Sequence, residues 1–438
     1  VLSSQLKRIG PIEAAIIVLL AAGVTFGVLS LAAGGDKGPA PQVRAARAQS
    51  STTAKPASGE VASVVVDAKT GKVRVAGALK AAKTGKKPEP QGAGAVAPAP
   101  AAAPSSPPAA ATASTPSLAS AVGQMIVSPV TGLTADAPLL ARVKAGHVGG
   151  IILFGPNIST VTQVKALIGQ LQGAAAAGGR PKLLIMTDQE GGDVKRFLSA
   201  PPTSSAAAMG AAGPATAFQQ GRLTGSALAQ RGVNVDLAPV ADVPMVAHSF
   251  LGTRAFGTTP QRVAQTSCQF AAGLHQGGVA GTLKHFPGLG RAVGNTDNQV
   301  VHIQAGTAAI VADLVPYRRC ANTPENLVMV SNAAYSSITG AAPAVVAPEA
   351  YQLLRTELGY QGVAISDSLD ARALAAVPNL AVAAAAAGLD LQLWTSAPRA
   401  QGAYGQLLSA AKDGRLPAAR VREAASRIHS LKQDLGLA

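Results

Sequence analysis

Val279-Ala280-Gly281-Thr282-Leu283-Lys284-His285-Phe286-Pro287-Gly288-Leu289-Gly290 is the stretch on which the reading of this chain turns. An apolar run from Val279 to Leu283 breaks into a loop that carries a cation, an imidazole and a proline-fixed turn between glycines. A short apolar run bounded by such residues reads as a buried strand, and α/β folds assemble their sites at the C-terminal ends of strands. Taken alone, Lys284 suits a Schiff base or a structural ion pair as well as a ligand contact, and an isolated histidine such as His285 is more often a satisfied core residue.

Working outward, seven further apolar runs follow the same pattern: Met125 to Val127, Gly149 to Phe154, Leu183 to Thr187, Val233 to Ala238, Leu327 to Val330, Val363 to Ser366 and Leu389 to Trp394. With Ala280 to Leu283 they make eight strand candidates. Between them lie helical stretches such as Pro214 to Arg231, Pro260 to Gly277, Pro348 to Glu357 and Arg372 to Ala387, several opening on proline and closing near glycine. Eight βα units within residues 117–438 predict a TIM (β/α)8 barrel. A doubly wound sheet is the competing architecture, but no strand-GxGxxG-helix unit is present to support a dinucleotide site.

The formal charge of +15 divides into +8 over residues 1–116 and +7 over 117–438, so a quarter of the chain holds over half of the excess. That distribution argues against a basic binding face on the folded part, and 3% aromatic residues is too sparse for base-stacking platforms, so nucleic acid is not an expected partner. Ala14 to Ala33 is a 20-residue stretch without charge, about 30 Å as a helix. Lys7 and Arg8 precede it, which predicts a single-pass membrane anchor within residues 1–35, its N-terminus cytoplasmic and the rest of the chain outside. A cleaved signal peptide, leaving a secreted protein, is the alternative. Residues 36–116 are rich in Ala, Pro, Gly, Ser and Lys and read as a disordered linker, whose Pro-Ala part from Pro90 to Pro116 would extend some ~80 Å. Within it, alternating Val64, Val66, Val73 and Val75 around Lys69-Thr70-Gly71-Lys72 resemble a small hairpin. Cys268 and Cys320 are the only cysteines, and two thiols 52 residues apart make no disulfide framework.

The strand exits present Phe154-Gly155-Pro156-Asn157, Asp188-Gln189-Glu190-Gly191-Gly192, Pro239 with Asp242, Lys284-His285, Ser331-Asn332 and Asp367. Polar and charged groups thus gather at one end of an apolar framework, as a polar-ligand pocket requires. Gly149 to Asn157, Asp188 to Gly192, Arg254-Ala255-Phe256-Gly257, Lys284 to Gly288 and Ile365-Ser366-Asp367 occur in an order and spacing that resembles glycoside hydrolase family 3, most closely its single-domain bacterial β-N-acetylhexosaminidases. The resemblance covers nearly all of residues 117–438.

It implies a retaining glycosidase in which Asp367 is the nucleophile and Asp188, Arg196, Arg254, Lys284 and His285 hold the sugar. It implies no metal or organic cofactor, and an oligosaccharide or cell-wall glycan as substrate. Two positions depart from the family pattern. Asp297-Asn298-Gln299 stands where these relatives carry Asp-Ser-His, whose histidine is the acid/base, and Asp193 stands where arginine is usual. Glutamine transfers no proton at neutral pH. Asp297 and His302 are the nearest substitutes, and a barrel that binds carbohydrate without turnover is the alternative function.

Overall fold

The computed structural model describes residues 116–247 and 249–438, together with the backbone of two short strands near the N-terminus. Those two, β1 (Ser63–Val66) and β2 (Val73–Ala76), pair antiparallel with Ser63 opposite Ala76, the hairpin that the valine alternation predicts. They belong to a unit of their own, residues 1–86. The proposed span at 14–33 and the rest of the linker through residue 115 lie outside the described residues. Among the described residues no helix is long and apolar enough to cross a membrane.

The larger unit contains β3 (Ile126–Pro129), β4 (Gly150–Ile152), β5 (Leu184–Thr187), β6 (Gln189–Gly191), β7 (Val194–Lys195), β8 (Val235–Asp236), β9 (Thr282–Phe286), β10 (His302–Ile303), β11 (Leu327–Val330), β12 (Ala334–Tyr335), β13 (Ala364–Ser366) and β14 (Gln392–Leu393). Each of the eight apolar runs supplies one of β3, β4, β5, β8, β9, β11, β13 and β14. These eight form two parallel sheets, ordered β14-β3-β4-β5-β8 and β13-β11-β9. Single parallel bridges span the gaps between them, Val235 with Ala280 and Val240 with Lys284 on one side, Ile365 with Leu391 on the other. The result is an α/β fold on a parallel sheet, with strands fully buried and helices between them. Such strands read as continuous apolar runs because both faces are covered.

The core has layers. Ile152, Leu184, Met186, Val235 and Leu237 belong to the main cluster, while alternate residues Ile151, Leu153, Leu183 and Ile185 pack with Val164, Leu167 and Leu171 of the helix Val161–Ala177. Alternation along each strand therefore sends neighbours to opposite faces. The helices Pro214–Ala229 and Pro260–Gln276 approach so closely that a Cβ on Gly221 would fall on the Phe270 carbonyl, and one on Gly273 on that of Phe218. Only glycine permits that crossing.

One expectation needs correction, and one open point is resolved. The helix placed from Arg372 to Ala387 begins only at Leu380, preceded by a single 3-10 turn at Arg372–Leu374, because Pro378 disfavours helix at Val377 and Asn379 turns left-handed at φ 48°. The state of Cys268 and Cys320, which the sequence leaves open, is a disulfide, with Cα atoms 5.7 Å apart. Cys268 lies in the helix Pro260–Gln276 and Cys320 ends the helix Val315–Cys320, so packing of two helices brings together what sequence separation hid.

Candidate active site

Asp188 leaves β5 and leads into the β6–β7 hairpin, whose turn is made by Gly191 and Gly192 at φ 98° and 59°. The left-handed conformation needed there is one that glycine adopts without a Cβ penalty. The chain folds back so that Arg196 Nη2 lies 3.2 Å from Asp188 Oδ2. Within the hairpin, the buried Gln189 amide fixes the return: its Oε1 accepts from the backbone of Arg196 and Phe197, both at 3.0 Å.

Lys284, inside β9, reaches across to the same hairpin. Its Nζ donates to Asp188 Oδ1 at 3.0 Å and meets Glu190 Oε1 at 2.6 Å. Arg254, from the 3-10 turn Gly252–Arg254, grips Glu190 with both arms, Nε to Oε2 and Nη2 to Oε1, each 2.8 Å. Planar guanidinium and carboxylate match in this bidentate arrangement. Burial alone would push the Glu190 carboxyl up, but Lys284 and Arg254 outweigh it and hold the group down at about 2. The same contacts keep Lys284 charged: burial opposes its charge, while Glu190 and Asp188 raise its pKa above the ordinary value. Next to this cluster the wholly buried Asp236 has its pKa pushed up to about 8, chiefly by desolvation.

His285 follows directly. Its Nδ1 is 2.7 Å from Asp242 Oδ2, and its backbone N–H donates to Asp242 Oδ1 at 3.0 Å.

Asp367 stands just beyond β13. Its backbone N–H donates to Val330 O at 3.2 Å, and its Oδ1 accepts from the Ser368 N–H at 2.7 Å. The loop is secured by the Asn332 side chain, which donates to Ser368 O at 2.9 Å, and by Asp370 Oδ2, which accepts from the N–H groups of Thr395 and Ser396. Asp297 arrives from the loop after β9. Main-chain bonds clasp that loop to the one following Asp367: Arg372 N–H to Asp297 O at 3.1 Å and Ala373 N–H to Thr296 O at 3.2 Å. Asp297 is exposed, and its carboxyl is shifted above the usual carboxylate range by partial loss of surrounding water and then by the charge of Asp367.

A cavity of about 490 Å³ collects these groups; Asp188, Arg196, Arg254, Lys284, His285, Asp297 and Asp367 all line it, with Ile152, Phe154, Leu237, Leu289, Met329 and Leu393 as apolar wall. Seven of the eight residues singled out from sequence therefore share one site. The eighth, His302, does not: it lies in β10, paired with Ala334, with its side chain exposed and away from the cavity lining. Gln299 is likewise exposed, beside Gly294. Sequence reading left out Glu190 and Asp242 as site residues. The signal for Glu190 was present, since residues 188 and 190 of an extended segment share a face.

A polar cavity at strand exits thus gathers a buried cation-carboxylate cluster together with the two carboxylates Asp297 and Asp367. The chain belongs to glycosyl hydrolase family 3, whose N-terminal domain model matches residues 117–431. It is 33% identical over 329 residues to an uncharacterized secreted glycosyl hydrolase of Arthroderma benhamiae, covering 72% of this chain and 92% of that protein. It is 31% identical over 316 residues to the beta-hexosaminidase LpqI of Mycobacterium tuberculosis, covering 69% of this chain and 80% of the relative. Among solved structures, the family 3 beta-N-acetylglucosaminidase of Paenibacillus sp. str. FPU-7 superposes with a TM-score of 0.70 at 31% identity, over 73% of this chain. That match spans 63% of the Paenibacillus chain.

Proposed function

We propose that this glycoside hydrolase is a retaining β-N-acetylhexosaminidase that removes N-acetylglucosamine-type sugars from oligosaccharides, cell-wall glycan among them. The observation that carries the reading is the juxtaposition of Asp367 and Asp297, on loops clasped through their backbones, in the cavity that Lys284, Arg254 and Asp188 also line. Asp188, Arg196, Arg254, Lys284 and His285 grip ring hydroxyls. Asp367 attacks the anomeric carbon to form a glycosyl-enzyme while Asp297, protonated, gives its proton to the departing oxygen. Asp297, now a carboxylate, takes a proton from a water whose oxygen bonds to the anomeric carbon as the bond to Asp367 breaks, which releases the sugar and frees Asp367. The framework in this reading is a closed eight-stranded TIM barrel, the bridges at Val235 and Ile365 joining the two parallel sheets into one cylinder.

The names of the relatives, beta-hexosaminidase and beta-N-acetylglucosaminidase, support the sugar class. The Cys268–Cys320 disulfide supports an extracytoplasmic location, where such bonds persist. Ala14 to Ala33 would tether the chain to the membrane, with the barrel outside and the linker as spacer.

Hydrolysis of aryl β-N-acetylglucosaminides tests the reading. Asp367→Asn should abolish turnover, and a mechanism-based fluoroglycoside should label Asp367. Asp297→Asn should lower kcat/KM by about 10² to 10⁴ for glycosides with poor leaving groups and much less for nitrophenyl glycosides. The second reading is a carbohydrate-binding barrel without turnover, favoured by the absence of Gln299 and His302 from the cavity lining. Saccharide binding retained in Asp367→Asn, with no hydrolysis by the wild type, would establish it instead.

A further inference from the structure

We propose that Asp242 is a positioning residue that fixes the tautomer of His285 and so decides which hydrogen bond the imidazole offers to the glycan. This rests on the glycosidase reading for its functional consequence, though not for its structural content.

Asp242 sits in the segment after β8 and is wholly buried, yet three groups converge on it. Oδ1 accepts from the backbone N–H of His285 at 3.0 Å and of Leu289 at 2.6 Å, so the turn from His285 to Leu289 is folded around this one oxygen. Oδ2 meets His285 Nδ1 at 2.7 Å. A carboxylate is an acceptor only, so the proton of a neutral imidazole must lie on Nδ1, leaving Nε2 with a lone pair. His285 lines the cavity and is 5% exposed. With Nδ1 committed to Asp242, Nε2 is the ring nitrogen left to meet a ligand, and in the neutral ring it accepts.

The surroundings reinforce this orientation. Tyr317 and Tyr335 are buried nearby, and their hydroxyls have no hydrogen-bond partner among the described residues. Burial above all, with the Asp242 charge adding to it, raises both phenols above their ordinary value, so neither competes as an anion for the imidazole proton. Arg291, the nearby loop cation, is engaged by Asp313 at 2.7 Å and leaves Asp242 to the histidine. In this tautomer Nε2 of His285 is an acceptor toward a sugar hydroxyl, while Lys284 and Arg254, which line the same cavity, are pure donors. One hydroxyl held between them would donate to His285 and accept from a cation.

The decisive variant is Asp242→Asn. Its carboxamide retains an oxygen for the two backbone donors but places an amino group against Nδ1, which moves the ring proton to Nε2 and turns the acceptor into a donor. Nitrogen NMR of the full chain labelled at histidine, assigned with His285→Asn, should show a protonated Nδ1 and bare Nε2 in the wild type and the reverse in Asp242→Asn. On aryl β-N-acetylglucosaminides, kcat/KM should fall by about 10- to 100-fold, the usual reach of a residue acting through another. Asp242→Glu, an acceptor on a longer arm, should restore the wild-type tautomer in the spectrum. An unchanged tautomer in folded Asp242→Asn, or a switched tautomer with unchanged kcat/KM, overturns the proposal. If Asp242→Asn does not fold, a wild-type spectrum with the proton on Nε2 overturns it equally. Wild-type chain without hydrolytic activity would sink the glycosidase reading while leaving the tautomer measurement intact.

Discussion

Lys284 and Lys432 are the two deeply buried lysines among the described residues, 2% and 1% exposed, and they teach opposite lessons about what a buried cation is for. Lys284 lies between Glu190 and Asp188, which keep it charged. Lys432, in the C-terminal helix Ala418–Asp434, has only neutral acceptors: Gln124 Oε1 at 2.7 Å and Gly149 O at 3.0 Å. With no carboxylate to offset desolvation, its pKa falls to about 7. The first lysine holds its charge toward an open cavity; the second pins a helix beneath the strands with a proton that it readily gives up. Charge at the ligand end and hydrogen bonding at the scaffold end follow from the partners, not from burial.

The largest effect should come from Lys284→Met, which leaves Glu190 and Asp188 to Arg254 and Arg196 alone. Breaking a buried pair costs about 3–5 kcal/mol, measurable by urea unfolding, and glycan binding should be lost with it. A variant as stable as wild type would show that Lys284 is no more essential to the fold than Lys432. Replacing both Cys268 and Cys320 by alanine should lower stability by about 2–4 kcal/mol in the same assay. Because that cross-link touches neither lysine, its loss should leave both pH responses below unchanged.

The pH responses separate the two sites. Glu190, held at about 2 against its ordinary 4.5, contributes stability that is complete above pH 4.5 and lost as pH falls toward 2. Lys432 is shifted from 10.5 to about 7, so between those values the unfolded chain binds more protons than the folded one. Stability therefore rises as pH climbs above 7, by at most about 1.4 kcal/mol per pH unit. Lys432→Met should erase that alkaline rise and leave the acid limb untouched. Its cost at neutral pH is the smallest of the set, about 1–3 kcal/mol for the two stranded acceptors.

Much of this contrast was legible from residues alone on the Lys284 side and almost none on the other. Strands buried on both faces leave uninterrupted apolar runs, and a polar residue at the end of such a run marks a site; this located Asp188, Lys284, His285 and Asp367. Glu190 and Asp242 stood in the same exits but act on other protein groups, and a partner's position is not written in spacing. Lys432 reads in sequence as one more cation on a basic helix, because only packing against Gln124 and Gly149 removes it from water. His302 failed as a candidate because three residues of loop beyond Gln299 suffice to carry a side chain into a different strand and out to solvent. The state of the cysteines was not legible for the converse reason, two helices meeting across 52 residues.

The clasp between Thr296-Asp297 and Arg372-Ala373 is made by peptide groups, so it reads chain length and ignores side-chain identity. Neighbours such as Asn298 and Gln299 can drift freely while the two carboxylates stay in step. Adding or deleting one residue on either segment would slip the register and separate them, which makes this short stretch permissive to substitution and unforgiving of insertion.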